Sequence, residues 1–235
     1  MSTRRDFLRS LLGAGALAGL GVPVWAQERV LQMGFLLPKD SSAARGATLG
    51  FEEAKRTADL LHVTLRAAST SEGVEALIGL QPPAGELRVP FFAAGEPETA
   101  PVRPRVFRVA SSPRFRRQIL ARQTTPGLRV VDWHPDLERF GAEQLNDRFR
   151  RRFGQAMDES AWRGWMAVKI AAELALRIPP GASTGLLEML QLASFDGHKG
   201  TQLRFDPQDH YLVQPVYLVD GNGKLVGEAG TGDTD

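Results

Sequence analysis

Apolar positions along the chain follow two periods, and the switches between them divide it into strands and helices. Residues 30–37 are a compact apolar run ending at Pro38, which predicts a buried first strand. Residues 44–61 then take helical spacing, with Leu49, Phe51, Ala54, Ala58 and Leu61 toward one side. Gly46 and Gly50 share a face of this helix and predict a close approach to the sheet or to a ligand. Residues 62–68, 73–80, 89–94 and 105–110 read as four more strands. Strands separated by polar or helical connections predict a parallel sheet with crossovers. The connections 80–89 and 94–105 are short and Pro-rich, with little room for full helices.

A basic helix over residues 114–123 follows, then a strand over 128–133. His134-Pro135-Asp136 predicts a helix-entry turn with Asp136 as the cap. Ala142, Leu145, Phe149 and Phe153 recur at helical spacing. Asp158 suits the cap of a second helix that carries Trp162, Trp165, Met166, Ile170 and Leu174 on a broad face, a core stripe rather than a cofactor box. The run Arg148, Arg150, Arg151, Arg152 reads as a solvated helix face. Pro179-Pro180-Gly181 ends that helix, and residues 184–192 form a short further one. Two β-prone runs, 201–205 and 213–219, flank the polar turn Asp206-Pro207-Gln208-Asp209 and predict a C-terminal hairpin. Residues 227–235 are rich in Gly, Thr and Asp and predict a disordered tail.

The start of the chain changes the compartment. Ser2-Thr3-Arg4-Arg5-Asp6-Phe7-Leu8 reads as a twin-arginine signal, followed by an apolar run too short and too rich in Gly and Ala to span a membrane. Val24-Trp25-Ala26 predicts cleavage after Ala26, so residues 1–26 are expected to be a leader and the mature protein a periplasmic one without membrane insertion. The 235 residues carry 29 basic and 27 acidic side chains. The leader holds three of those arginines and one aspartate, so the mature chain is balanced and its charge does not point to nucleic acid. With no cysteine, disulfides, thiolate nucleophiles and zinc–cysteine sites are excluded.

A family resemblance rests on the C-terminal stretch. Gly200, Leu203, Phe205-Asp206-Pro207, His210 and Gln214-Pro215-Val216-Tyr217 resemble the closing segment of type I periplasmic binding proteins, the Leu/Ile/Val-receptor family of ABC-importer substrate-binding proteins. The Gly46-x-x-x-Gly50 pair and Val106-Phe107-Arg108-Val109-Ala110-Ser111-Ser112-Pro113 look like that family's first helix and the strand closing the first half of its N-terminal lobe. The resemblance implies an α/β fold with a doubly wound, mostly parallel sheet. The helix over 114–123 leads almost directly into 128–133, which resembles a segment near the end of the second lobe. The expected organisation is therefore one near-complete lobe, residues 27–125 and 136–194, plus a small β remnant of the second, residues 126–135 and 195–226. The hairpin is expected to pair with 128–133 into a small β-unit, or to leave an edge for a partner strand.

By the same resemblance the protein binds a small organic solute for an ABC permease, without catalysis and without a cofactor. Amino-acid-binding members hold their ligand with Ser and Thr hydroxyls and backbone groups just after the third and fourth strands. Here those loops read Leu80-Gln81-Pro82-Pro83 and Phe92-Ala93-Ala94-Gly95-Glu96-Pro97, with no hydroxyl and with prolines removing backbone donors. The candidate ligand residues are therefore Gln81, Ala93, Ala94 and Glu96. Phe149-Arg150-Arg151-Arg152-Phe153-Gly154 and Trp162-Arg163-Gly164-Trp165 are similar to a narrower branch, the binding-protein-like components of PQQ-dependent alcohol dehydrogenase systems. That likeness implies an alternative, an accessory protein docking on a periplasmic quinoprotein oxidoreductase.

Enzyme chemistry finds no foothold. The sequence has no Gly-x-Ser-x-Gly elbow, no Walker loop, no Gly-x-Gly-x-x-Gly and no His-Glu-x-x-His. Asp206, Asp209, His210 and His198 could together offer metal ligands, but turn chemistry accounts for the two aspartates more simply.

Overall fold

The computed structural model describes residues 29–179 and 185–230. The leader and residues 231–235 lie outside the described residues, as does Thr184 at the start of the expected short helix. The centre is a five-stranded parallel sheet made of β1 (Arg29–Leu36), β2 (Val63–Ala68), β3 (Ala76–Gly79), β4 (Phe91–Ala93) and β5 (Val106–Arg108), in the order β2-β1-β3-β4-β5. All its neighbours run parallel, with Leu31 opposite Leu65 and Met33 opposite Ala76. β3, β4 and β5 are buried along their whole length, which explains why they read as apolar runs rather than alternating ones. Each is shorter than the apolar run that announced it, because the flanking residues turn into loops.

Two long helices cover one face, α1 (Ser42–Leu60), after β1, and a later one, Glu159–Arg177. Between them in the chain come α2 (Pro113–Ala121) and α3 (Ala142–Phe153), so the second long helix is α4. Ser41 caps α1 by accepting a hydrogen bond from Ala44 N at 3.1 Å, and Asp158 caps α4 as expected, accepting from Ala161 N at 2.8 Å. Asp158 also accepts from the Ser42 hydroxyl at 2.7 Å, which ties the two helix starts together.

Gly46 and Gly50 face α4 rather than the sheet. A Cβ at Gly46 would stand 1.8 Å from Ala161 O, and one at Gly164 would stand 2.1 Å from Ala43 O. The glycines let α1 and α4 cross backbone to backbone. The main core then packs Met33, Ile78, Phe92 and Phe107 of the sheet with Trp162, Met166 and Ile170 of α4. On the opposite face Val74, Leu77, Leu87, Phe91, Ala93 and Val106 form a second cluster that contains no helical residue, as the short Pro-rich connections require.

The C-terminal third builds two small sheets: the expected hairpin forms across the 206–209 turn, with Arg204 opposite Val213, but its second run divides and the part from Val216 joins the other sheet. β6 (Arg129–Val131), β10 (Val216–Val219) and β11 (Leu225–Ala229) pair antiparallel in the order β11-β10-β6, with Leu218 opposite Val130. After α5 (Leu186–Leu192), β7 (Phe195–Asp196), β8 (Gln202–Phe205) and β9 (Leu212–Val213) form the other. Thus β10 does pair with the 128–133 strand, while β8 belongs elsewhere. Ordered strand continues to Ala229, so residues 227–229 are not tail; β10 supplies the ladder that a Gly-containing segment could not announce alone.

The turn at 134–136 also differs from expectation. Asp136 caps nothing: α3 starts only at Ala142, after a 3-10 turn with Phe140 at φ 58°, and its cap position is Gly141. His134 organises the turn instead, accepting from Asp136 N at 3.2 Å. No helix among the described residues is long and apolar enough to cross a membrane.

Candidate functional site

In parallel sheets, ligands bind in the crevice outside the carboxyl ends of the strands. Here the ends of β3, β4 and β5 meet in a cavity of about 10 Å³, to which Gln81, Ala93 and Glu96 all contribute. That volume suits about one water molecule. Ala94 is fully buried beside it, outside the lining, with its N–H donated to Gly79 O at 2.8 Å. Gly95 N likewise donates to Leu80 O at 3.2 Å, and a Cβ at Gly95 would lie 2.4 Å from that same oxygen. The loops after β3 and β4 are therefore laced to each other through the N–H groups of Ala94 and Gly95.

Two residues absent from the expected set complete this crevice, Arg108 at the end of β5 and Tyr211. They form a parallel β-bridge, which adds Tyr211 to the sheet edge. The Arg108 guanidinium lies 5.2 Å from the centre of the Tyr211 ring, and the Tyr211 hydroxyl donates to Glu98 O. Arg108 Nη2 donates to Pro101 O at 3.3 Å. Arg108 Nη1 is buried and has no hydrogen-bond partner among the described residues. Arg108 is only 7% exposed and makes no ion pair with a carboxylate among the described residues.

Glu96 leads to a second assembly. Its exposed carboxylate accepts from Arg163 Nη1 at 3.0 Å in an ion pair, and Nη1 also donates to Gly95 O at 3.1 Å. Arg163 projects from α4 and is fully buried. Its Nε donates to Asp132 Oδ2 at 2.9 Å, while Nη2 lies against Glu159 in an ion pair without hydrogen-bond alignment. Arg116 of α2 joins the same acids, 2.6 Å from Asp132 and 2.5 Å from Glu159. Ser111 adds its hydroxyl and its N–H to Asp132 Oδ1, at 2.6 and 3.1 Å. Lys199, 2% exposed, donates to Asp132 O and, at 2.9 Å, to Pro215 O, with its ammonium 4.3 Å from the Trp162 ring.

The charge states follow from these neighbours. Burial alone would raise the Asp132 pKa, but Arg116, Arg163, Lys199 and the Ser111 hydrogen bond outweigh it and hold the carboxyl well below the usual carboxylate range. Burial pushes Lys199 down to about 7, against the pull of Asp132 and Glu159. Burial likewise opposes the Arg163 charge, yet Asp132, Glu159 and Glu96 raise its pKa overall. None of these groups has the access a reacting residue needs; they fix elements to one another.

The metal alternative dissolves into turn contacts. Asp206 accepts from Gln208 N at 2.7 Å and Asp209 from Tyr211 N at 3.0 Å, while His210 and His198 face the carbonyls of Val106 and Phe140. Among the described residues, no group of three or more His, Cys, Asp or Glu is placed to hold a metal ion. A larger open groove of about 680 Å³ lies between α1 and the ends of β1 and β2, lined by Phe35, Leu37, Phe51 and Ala68 among others. It contributes none of the buried unpaired polar atoms, so the Arg108 crevice is the stronger site despite its size.

The architecture has clear counterparts among solved structures. A periplasmic binding protein from Burkholderia mallei matches with a TM-score of 0.65 at 8% identity, over 88% of this chain and 96% of that one. This is the type I periplasmic binding protein fold. A leucine binding protein from Thermotoga maritima matches it with a TM-score of 0.63 at 11% identity, over 86% of this chain and 99% of that one. An ABC transporter solute binding protein from R. palustris, in complex with benzoate, matches with a TM-score of 0.57 at 13% identity, over 86% and 96%. No protein-family model and no curated protein matches the sequence.

Proposed function

We propose that the protein is the periplasmic solute-binding component of an ABC import system, binding a small organic solute at the carboxyl ends of β3, β4 and β5 without transforming it. The observation that carries this reading is the shared fold with solute-binding proteins across 86–88% of the chain. The crevice lined by Gln81, Ala93 and Glu96 adds a place for the solute. On this reading residues 1–26 are the twin-arginine leader. The sheet β11-β10-β6 and the segment around β7–β9 stand for a reduced second lobe, and an ABC permease is the partner. Because the crevice holds about one water, the loops 80–83 and 95–98 must part to admit a solute.

The small crevice also favours a second reading, a degenerate binding fold that docks on a periplasmic quinoprotein oxidoreductase. Thermal shift of the mature protein against amino acids, carboxylic acids, alcohols and aldehydes separates the two. A specific rise in Tm supports the receptor. A folded protein silent across the panel, and co-purifying with an oxidoreductase, would replace it with the docking role.

A further inference from the structure

We propose that the outer edge of β11 is a docking site for an extended segment of a partner protein that carries apolar residues together with Lys or Arg. A strand at the edge of a sheet offers a row of unpaired N–H and C=O groups to another chain. The small sheet β11-β10-β6 has two such edges, and the fold treats them differently. At the β6 edge Val130 O accepts from Arg116 Nη1 at 2.9 Å, and Asp132 N, just past the strand, donates to Glu159 at 2.7 Å. At β11, among the described residues, no hydrogen bond or ion pair from outside the sheet reaches residues 225–229. The strand also lacks the Pro or Lys that blunts many exposed edges.

A groove of about 350 Å³ runs along this edge, lined by Leu225, Val226, Gly227 and Glu228 in succession, together with Phe140 and Tyr217. Side chains alternate between the faces of a strand, so a groove that touches four residues in a row follows the edge rather than one face. Val226 and Phe140 are 52% and 58% exposed, large apolar groups that the fold leaves in water. The same groove holds Asp136, Glu138 and Glu228 against the single Arg139. Of these four, Asp136 alone has an ionisable partner, His134 at 3.7 Å. His134 Nδ1 accepts from Asp136 N, so it carries no proton and leaves the acid uncompensated. Lys224 and Asp220, in the turn before β11, cancel each other.

This charge selects the occupant. A second copy pairing β11 with β11 would set acids against acids, and residues 231–235, Thr-Gly-Asp-Thr-Asp, add two more of the same sign. An extended segment with Lys or Arg meets every demand: its backbone continues the ladder, its apolar side chains cover Val226 and Phe140, and its cations meet the acids. The inference stands apart from the receptor reading, since it concerns neither the crevice nor a solute.

The test adds two capped peptides, Lys-Val-Thr-Val-Lys-Val and Glu-Val-Thr-Val-Glu-Val, to the mature chain at low salt and follows amide hydrogen exchange over residues 225–229. The basic peptide is expected to slow exchange there and to bind about tenfold more tightly than the acidic one, the modest worth of three exposed charge pairs. Val226→Lys, a charge set on the edge, should weaken it by about tenfold or more. The double variant Glu138→Lys with Glu228→Lys should reverse the order of the two peptides. Circular dichroism checks that both variants fold. A basic peptide that does not bind by about 1 mM, equal binding of both peptides, or slowed exchange that spares 225–229 overturns the site. Ultracentrifugation showing a dimer that Val226→Lys dissolves would give the edge to a second copy and overturn it too. So would binding that appears only after residues 231–235 are deleted, which gives the edge to the chain's own end. Thermal shift against solutes reads the receptor separately, so either reading can fail alone.

Discussion

Replacing Arg163 by Met tests whether the buried ion network holds the molecule together. The substitution keeps volume and apolar contact with the core but removes the donor to Asp132 Oδ2 at 2.9 Å and the donor to Gly95 O at 3.1 Å. Asp132 stays fully buried with Arg116, Ser111 and Lys199 as its remaining partners. Removing one partner from a buried pair costs about 3–5 kcal/mol. Against a total of about 5–15 kcal/mol for a domain this is severe. At about 2–4 °C per kcal/mol for 150–250 residues, Tm falls by about 6–20 °C.

The pH dependence distinguishes charge from packing. The folded Asp132 pKa lies below its ordinary 3.8, so its contribution is present above that value and is lost as pH falls through the folded pKa. At pH 3 the unfolded chain has mostly taken up the proton while the folded carboxylate has not, which removes about 1 kcal/mol from the wild type. The Met variant starts with less of this contribution, so its deficit should shrink by up to about 1 kcal/mol between pH 7 and pH 3. Denaturant unfolding at both pH values measures it. A deficit under about 1 kcal/mol at pH 7 would show that the network contributes little. A larger deficit that does not change with pH would assign the loss to packing and refute the electrostatic account.

Three further outcomes are expected. Gly46→Val drives a Cβ against the Ala161 backbone 1.8 Å away and should cost about 3 kcal/mol, at the upper end of overpacking, whereas Gly221→Ala, with open space around it, should stay within about 0.5 kcal/mol; chemical denaturation compares them. Lys199, pushed down to about 7 by burial, sheds its proton in the folded state before the unfolded one, so its contribution to stability should rise from pH 7 toward 9, and Lys199→Met should abolish that rise in denaturation midpoints. Small-angle scattering should give a single body whose radius of gyration does not contract when a solute is added; a bilobed profile that contracts would show two lobes closing.

Much of the fold is legible because it is local. The 3.6-residue spacing of Ala142, Leu145, Phe149 and Phe153 marks α3 to its last residue, and Asp158 marks the start of α4 by ordinary capping. The use of Gly46 was not legible: a small-residue pair promises a close neighbour without naming it, and the neighbour turned out to be Ala161 of a helix more than a hundred residues later. β11 escaped notice because Gly227 and Glu228 weaken its pattern, which only pairing with β10 makes into a strand. The site was half legible. Its loops could be placed by strand order, but Arg108 sits in Val106-Phe107-Arg108-Val109 like any alternating polar residue, and only its burial without a partner sets it apart. Arg163 did leave a local trace, an arginine between Trp162 and Trp165 on the apolar face of a helix. Its counter-charge lies 31 residues away in sequence, beyond the reach of periodicity.

The network also bears on how a solute could be sensed. Two lobes that close by hinge motion need a junction that can repack, a few residues absorbing the change while the rest stays rigid. Here the junction is occupied by buried charge. Arg163 reaches from α4 to the Gly95–Glu96 loop on one side and to Asp132, just past β6, on the other. Lys199 fastens the same Asp132 carbonyl to that of Pro215, just before β10. Separating the small sheet from the parallel one would strand at least one of these charges away from its partners, at a cost of several kcal/mol. Parting the loops over the crevice asks for less, because Glu96 is largely exposed and Gly95 O is one neutral carbonyl. On the receptor reading the loops therefore part at less cost than the junction, even with the hydrogen bonds from Ala94 N to Gly79 O and Gly95 N to Leu80 O given up. A solute that displaces Gly95 from Arg163 would change one ligand of the network directly, and so reach Asp132 and the small sheet without any closure of lobes.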